Sequence, residues 1–175
     1  MDDRMLLHRI DFERGIITID GKEYPMKDYN FPTVDPKDPY KLTEEEKEIV
    51  KKLHRSFVGS EKLRKHIRHI FRNGCMYTVT NSNLLFHASI PLNEDGTLRE
   101  IDIRGKKYKG KALLEKIGHL IRTAYFVEEN TEEKLFAKDY VWYLWCGKDS
   151  PAFDKAKMAT FERYFLDDKE LHKET

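Results

Sequence analysis

One pattern of alternating residues occurs twice in the chain, and it restricts the local fold more than any other feature of the sequence. In residues 17–24 two isoleucines at alternate positions precede a glycine, a lysine and a tyrosine, and the same order recurs in residues 101–108. Alternating apolar residues suit a half-buried strand, and glycine supplies the positive φ angle that a tight hairpin turn requires. The two segments therefore predict two similar β-hairpins, to which we assign no function.

Helices are predicted in the rest of the chain, separated by turns. Three prolines within residues 32–39 exclude a helix there and indicate an extended connector. Thr43 and Glu46 have the spacing of a capping box, which predicts a helix of about 15 residues after Thr43. The spacing of apolar residues predicts further helices at residues 60–73, 111–126 and 131–146.

These elements predict an α+β fold with antiparallel or mixed strands, hairpins and about four helices. Two further strands, residues 75–80 and 83–90, are expected to pair around a turn at 81–83, and the second of them to be central and buried because it is apolar. The chain is predicted to be one domain or an internal segment of a longer protein, residues 1–175. Its parts are a hairpin with a proline-rich connector (1–41), helices and strands (42–146), and a loop with a charged tail (147–175).

Composition excludes several classes of protein. The net charge is +1, which argues against binding to nucleic acid or to an anionic membrane through the whole surface. No apolar stretch approaches the roughly 18 to 20 residues that span a bilayer, and the first residues do not form a signal peptide. The two cysteines have no metal-binding spacing and are expected to be buried thiols, which favours the cytoplasm.

A basic segment is the first candidate for a binding function. Residues 51–74 contain eight lysines and arginines and one acidic residue, a local net charge of +7. The segment is predicted either to bind an anion, such as nucleic acid or a phosphorylated metabolite, or to form a solvated helix face. Charged runs on amphipathic helices are usually surface, so the second interpretation is favoured. His66 and His69 lie three residues apart, but no third metal ligand is nearby.

His87 is the second candidate, because it follows an apolar strand and precedes two small residues. Such a histidine is often only a satisfied core residue. However, Leu84-Leu85-Phe86-His87 with small residues after it resembles the third metal motif of calcineurin-like metallophosphatases. In the phosphoprotein phosphatases that motif ends in His-Gly-Gly and its histidine binds one of two metals, whereas Ala88 and Ser89 replace the glycines here.

A closer resemblance covers nearly the whole chain. The sequence resembles the class III fructose-1,6-bisphosphatases of Firmicutes-type bacteria, members of the calcineurin-like metallophosphatase superfamily. Five strings carry the resemblance in the same order: NFPTVDPKDPYKLTEEE, SEKLRKHIRHIF, NSNLLFHASIPLNEDG, RGKKYKGKALLEK, and VWYLWCGKDSPAF with MATFERYF. The family's GDxxDRG-like, GNHD-like and late Gly-His motifs are absent. The resemblance therefore implies an internal segment of such an enzyme, and part of its αββα sandwich.

The resemblance also implies a chemistry for the candidate residues. The family hydrolyses the 1-phosphate of fructose 1,6-bisphosphate in gluconeogenesis, usually with Mn²⁺ in a two-metal site. His87 would be one metal ligand, and residues outside this segment would complete the site, so the segment alone is expected to be inactive. Cationic side chains should surround the substrate phosphates; the candidates are Arg163, Lys62, Arg64, Lys65 and Arg68. Trp142 and Trp145 are expected to be core residues on one helix face.

Two other classes of function remain open. The chain could be a non-catalytic adaptor or regulatory domain that binds a protein or an anion. It could also be an anion- or nucleic-acid-binding module that uses the basic helix at 60–73. Neither class explains the five ordered strings, and the sequence leaves the oligomeric state open.

Overall fold

The computed structural model describes residues 4–153 and 155–174, so the ends of the predicted ranges 1–41 and 147–175 lie outside the described residues. The chain divides into two compact units. Unit 1 is Met1–Leu63 with Ala159–Glu174, and unit 2 is Arg64–Met158.

In chain order the elements are β1 (Ile10–Asp11), β2 (Ile16–Ile19), β3 (Lys22–Pro25), α1 (Glu44–Val58), α2 (Glu61–Asn73), β4 (Tyr77–Thr80), β5 (Asn83–Phe86), β6 (Ile101–Ile103), β7 (Lys106–Tyr108), α3 (Gly110–Phe126), α4 (Glu132–Cys146) and α5 (Thr160–Phe165). The fold is α+β, as predicted.

Both predicted hairpins are confirmed. Strands β2 and β3 pair antiparallel in unit 1, and β6 and β7 pair in the same way in unit 2. Each turn has two residues with positive φ: Asp20 at +51° with Gly21 at +76°, and Arg104 at +55° with Gly105 at +79°. Two consecutive residues with positive φ define the turn type whose twist matches the flanking strands, which explains the repeated glycine.

Each unit has its own hydrophobic core. In unit 1, β1 extends the β2–β3 hairpin to three strands. Ile10 of β1 and Ile17 and Ile19 of β2 pack with Leu166, which follows α5. In unit 2, α3 packs against α4. Ile117 and Leu120 of α3 are buried with Ala137, Tyr140 and Leu144 of α4. Ile103 of the second hairpin joins this core, so the hairpin is anchored to the helix pair.

Helix boundaries follow the predicted caps closely. The hydroxyl of Thr43 accepts a hydrogen bond from the Glu46 amide at 3.2 Å, and the Glu46 carboxylate accepts one from the Thr43 amide at 2.8 Å. This reciprocal pair satisfies two donors that the first turn of α1 would otherwise leave unpaired. The hydroxyl of Ser60 likewise accepts from the Leu63 amide at 3.2 Å at the start of α2.

The predicted burial of several apolar side chains is wrong. In the described residues β5 pairs only with β4, and Leu84, Leu85 and Phe86 are all exposed, so the strand before His87 is neither central nor buried. Trp142 and Trp145 are 61% and 73% exposed rather than core residues. Periodicity identifies the side chains that an element offers for packing, but burial also requires a surface that covers them, and the described residues supply none here.

Two helix faces are also exposed to water, and one of the two thiols that were expected to be buried is exposed. The apolar face of α1, formed by Ile49, Val50, Leu53 and Phe57, is exposed. On α2, Ile70 is exposed while the neighbouring apolar residues are half-buried. Cys146 is buried as predicted, whereas Cys75 is exposed, and neither forms a disulfide.

The α3–α4 core should carry the stability of unit 2. Ile117 is completely buried, so Ile117→Ala should lower the free energy of unfolding by about 2–5 kcal/mol through lost burial and a residual cavity. Leu135→Ala on the exposed side of α4 is the matched control and should change it by no more than about 0.5 kcal/mol. Urea unfolding followed by far-UV circular dichroism measures both. Equal losses in the two variants would show that this core is not the one that stabilises the unit.

Candidate functional site

His87 lies immediately after β5, which ends at Phe86 and is shorter than the predicted strand 83–90, and the His87 side chain is exposed. A tight turn closes one end of the β4–β5 hairpin, and strand pairing holds the other end, next to His87. Asn81 and Ser82, at the β4–β5 turn, have φ angles of +50° and +63°. Strand pairing brings Tyr77 opposite Phe86, so the residue before His87 is held by the last pair of the ladder. His87 is therefore the first residue after the regular strand structure.

The residue after His87 adopts an unusual backbone conformation. Ala88 has a φ of +56°, in the left-handed region that favours glycine. The conformation costs a non-glycine residue on the order of 1 kcal/mol, and it persists where surrounding contacts fix the backbone. It also gives a physical meaning to the glycine that stands at this place in the His-Gly-Gly motif, because glycine adopts a positive φ without strain.

A loop after α4 holds the segment that follows His87. The Ser89 amide donates to the Pro151 carbonyl at 3.1 Å. Pro151 is buried, and its neighbour Ser150 is also buried, with a hydroxyl that donates to the Leu144 carbonyl at 2.7 Å. The loop of residues 147–153 is thus attached to the last turn of α4. Through Ser89, it fixes the path of the chain beyond His87.

Further polar contacts stabilise this loop. The Tyr143 hydroxyl donates to the Lys148 carbonyl, and burial, with a smaller effect of the Asp149 carboxylate, raises the pKa of Tyr143 above its ordinary value. The phenol therefore stays protonated and remains a donor. Arg99 donates to Asp149 at 2.6 Å in a half-buried ion pair. Gly147 is required for close packing, because a Cβ there would overlap the Tyr143 ring.

The described residues do not form a metal site by themselves. Within residues 4–153 and 155–174, no three histidine, cysteine, aspartate or glutamate side chains come together as ligands would. In the same part of the chain the His87 side chain has no hydrogen bond or ion pair that would fix its tautomer. His66 and His69 are exposed on α2, and the side-chain amide of Asn73 lies 3.2 Å from His69 Nδ1. A single imidazole is a suitable ligand for Mn²⁺ but not a complete donor set.

The structure places the predicted phosphate-binding residues on two helices. Lys62, Arg64, Lys65 and Arg68 are all exposed on α2. Arg163 is exposed on α5, in unit 1, and its guanidinium forms a 3.3 Å ion pair with Glu174. His87 belongs to unit 2. The role of these five basic residues in substrate binding stays a prediction.

Sequence reasoning missed the loop after α4 as a neighbour of His87. Its glycine, serine and proline indicate a turn, which the sequence shows. The hydrogen bond between Ser89 and Pro151 joins residues far apart in the chain, and no local pattern predicts such a pairing.

No helix in the described part of the chain is both long and apolar enough to cross a bilayer.

Comparison with known proteins identifies the family. The model of the family described as Firmicute fructose-1,6-bisphosphatase matches residues 1–175. A protein of Phocaeicola vulgatus named fructose-1,6-bisphosphatase class 3 is 77% identical over 175 residues, which are 99% of this chain and 26% of that protein. A protein of the same name from Bacteroides fragilis is 65% identical, covering 100% of this chain and 26% of that protein. One from Clostridium novyi is 56% identical over 98% of this chain and 26% of that protein.

The chain therefore belongs to the Firmicute fructose-1,6-bisphosphatase family. It spans about a quarter of the length of these curated relatives. No solved structure matches it significantly.

Proposed function

We propose that this chain acts as part of a class 3 fructose-1,6-bisphosphatase, a phosphoric monoester hydrolase that removes the 1-phosphate of fructose 1,6-bisphosphate. The observation that carries the proposal is the identity of 77% over the chain's length to a relative of that name. The proposed setting is gluconeogenesis in the cytoplasm. The proposed cofactor is Mn²⁺ in a two-metal site.

Within that enzyme we assign His87 the role of one metal ligand. Its place supports this role, because ligands of two-metal sites are best fixed at the ends of rigid strands and His87 directly follows β5. The left-handed Ala88 and the Ser89–Pro151 hydrogen bond fix the chain beyond it. The other ligands, and the partner of the second imidazole nitrogen, would come from outside this segment. When bound, the metal pair supplies an activated water and neutralises phosphate charge.

The basic residues named above remain candidates for holding the substrate. Lys65 and Arg68, both in unit 2, lie three residues apart on α2, so their side chains project from one side of the helix. That arrangement suits an anion with several oxygens. It supports a phosphate-binding role for α2 in the full-length enzyme, and Arg163 is proposed for the same role on the basis of its charge.

The segment alone should not hydrolyse the substrate. Assayed with Mn²⁺ and fructose 1,6-bisphosphate, the 175-residue chain should release phosphate no faster than a sample without protein, because one imidazole does not form a two-metal site. A full-length class 3 enzyme carrying this segment is the positive control. Turnover by the segment well above background would contradict the proposed division of the site.

His87 itself is tested in a full-length class 3 enzyme that carries this segment. His87→Ala removes a direct ligand, so activity should fall by more than the roughly 10- to 100-fold typical of residues that only orient ligands. High Mn²⁺ should restore part of it, because a weakened site is still filled by mass action. Phosphate release as a function of Mn²⁺ concentration gives both quantities.

The matched controls are two other histidines of the same segment. His66→Ala and His69→Ala lie on the exposed surface of α2 and should leave activity and Mn²⁺ dependence nearly unchanged. Full activity of His87→Ala, with loss of Mn²⁺ dependence in either control, would mean that the ligand is a different histidine.

A further inference from the structure

The β4–β5 hairpin of unit 2 has one apolar face that is open to water. Opposite residues of an antiparallel pair lie on the same face of the sheet, and the register places Val79 opposite Leu84. Phe86, two residues further along β5, shares that face. Val79, Leu84 and Phe86 are 61%, 48% and 45% exposed. Leu85 lies on the other face and is exposed too, so β5 has the continuous apolar run of a strand that is buried on both faces.

The outer edge of β5 also presents backbone groups for pairing. The hairpin turn has two residues, so Thr80 and Asn83 on either side of it form a hydrogen-bonded pair. Such pairs alternate along an antiparallel ladder. Leu84 and Phe86 therefore belong to the pairs whose N–H and C=O groups point away from β4. Among the described residues, β5 pairs with no strand other than β4.

The other strands of the described chain are protected at their edges, and this hairpin is not. An exposed strand edge invites pairing with a further strand, and proteins commonly block it with charged residues or proline. Strands β1, β3, β6 and β7 each contain a charged residue, and β3 also ends in proline. Strands β4 and β5 contain neither. The hairpin next to His87 thus has the features of a strand pair that continues into a larger sheet.

We propose that the outer edge of β5 is the docking site for a β-strand from the part of the protein that lies outside this segment. The chain covers 26% of its curated relatives, so most of such a protein lies outside it. The added strand would form backbone hydrogen bonds with Leu84 and Phe86, in the manner of strand addition to an open sheet. It would also stabilise a two-stranded hairpin that is only marginally stable by itself.

A second copy of this chain is the alternative occupant, and it fits less well. Pairing two β5 strands would extend the sheet but would place no second layer over either face, and an apolar sheet face is stable only when such a layer covers it. A longer polypeptide supplies both the strand and the layer. The docking does not depend on whether the enzyme hydrolyses fructose 1,6-bisphosphate.

Hydrogen exchange at single-residue resolution tests the docking site. The 175-residue chain is compared with a full-length class 3 enzyme that carries this segment. The Leu84 and Phe86 amides should exchange as unprotected amides in the segment and at least about tenfold more slowly in the full-length enzyme, because the added strand accepts their hydrogen bonds. Lys107 is the matched control, since its amide points outward from β7 in the same way on an edge that lysines protect. It should exchange equally fast in both proteins.

A proline variant tests the same edge in the full-length enzyme. Leu84→Pro removes an outward N–H and leaves the pairing with β4 intact. The Phe86 amide should then lose most of its protection, while the amides of α3 keep theirs. Lys107→Pro, at the outward position of β7, is the matched control and should leave Phe86 protected.

Two results would overturn the docking site. One is fast exchange of Leu84 and Phe86 in the full-length enzyme. The other is protection of these amides already in the 175-residue chain, and a rise of that protection with concentration would identify a second copy as the occupant. Either result is compatible with full hydrolytic activity, so the docking site and the proposed function fail separately.

Discussion

The packing of α3 against α4 is the constraint on which the candidate site depends. Ala137 is completely buried between the two helices, and its small side chain lets the larger Ile117 and Leu120 of α3 approach α4 closely. Because α4 is held in this way, its last turn offers the Leu144 carbonyl at a fixed place for Ser150. The loop after α4 then positions Pro151, which binds the segment beyond His87. A change in helix packing would therefore reach the candidate ligand through two hydrogen bonds.

The exposed apolar side chains have one common physical explanation under the proposed function. Leu84, Leu85 and Phe86 on β5 are exposed, as are Trp142 and Trp145 on α4. Several large apolar side chains in contact with water are unfavourable, and larger exposed apolar patches usually mark a surface that another structure covers. A two-stranded hairpin is also only marginally stable without further packing. The chain spans about a quarter of the length of its relatives, and the remaining part of such a protein is the proposed cover.

Local features of the fold were predictable from the sequence, and long-range ones were not. The capping box at Thr43 and Glu46 and the glycine at each hairpin tip act between residues close in the chain, so the sequence displays them directly. The position of His87 at a strand end was predictable for the same reason. The exposure of β5 was not, because burial depends on which other surface lies against the strand. The pairing of Ser89 with Pro151 joins residues that are far apart in the chain, and the positive φ of Ala88 follows no local pattern, so neither could be found from spacing alone.

The central claim is that His87 binds a metal at the end of β5 in the complete enzyme. It is tested most directly by diffraction from crystals of a full-length class 3 enzyme carrying this segment, grown with Mn²⁺ and measured on both sides of the manganese absorption edge. The anomalous difference map should place a manganese ion in coordination contact with one imidazole nitrogen of His87, with its remaining ligands from outside the segment. Bound manganese with no contact to His87, in an enzyme that is active in the same crystals, would contradict the claim.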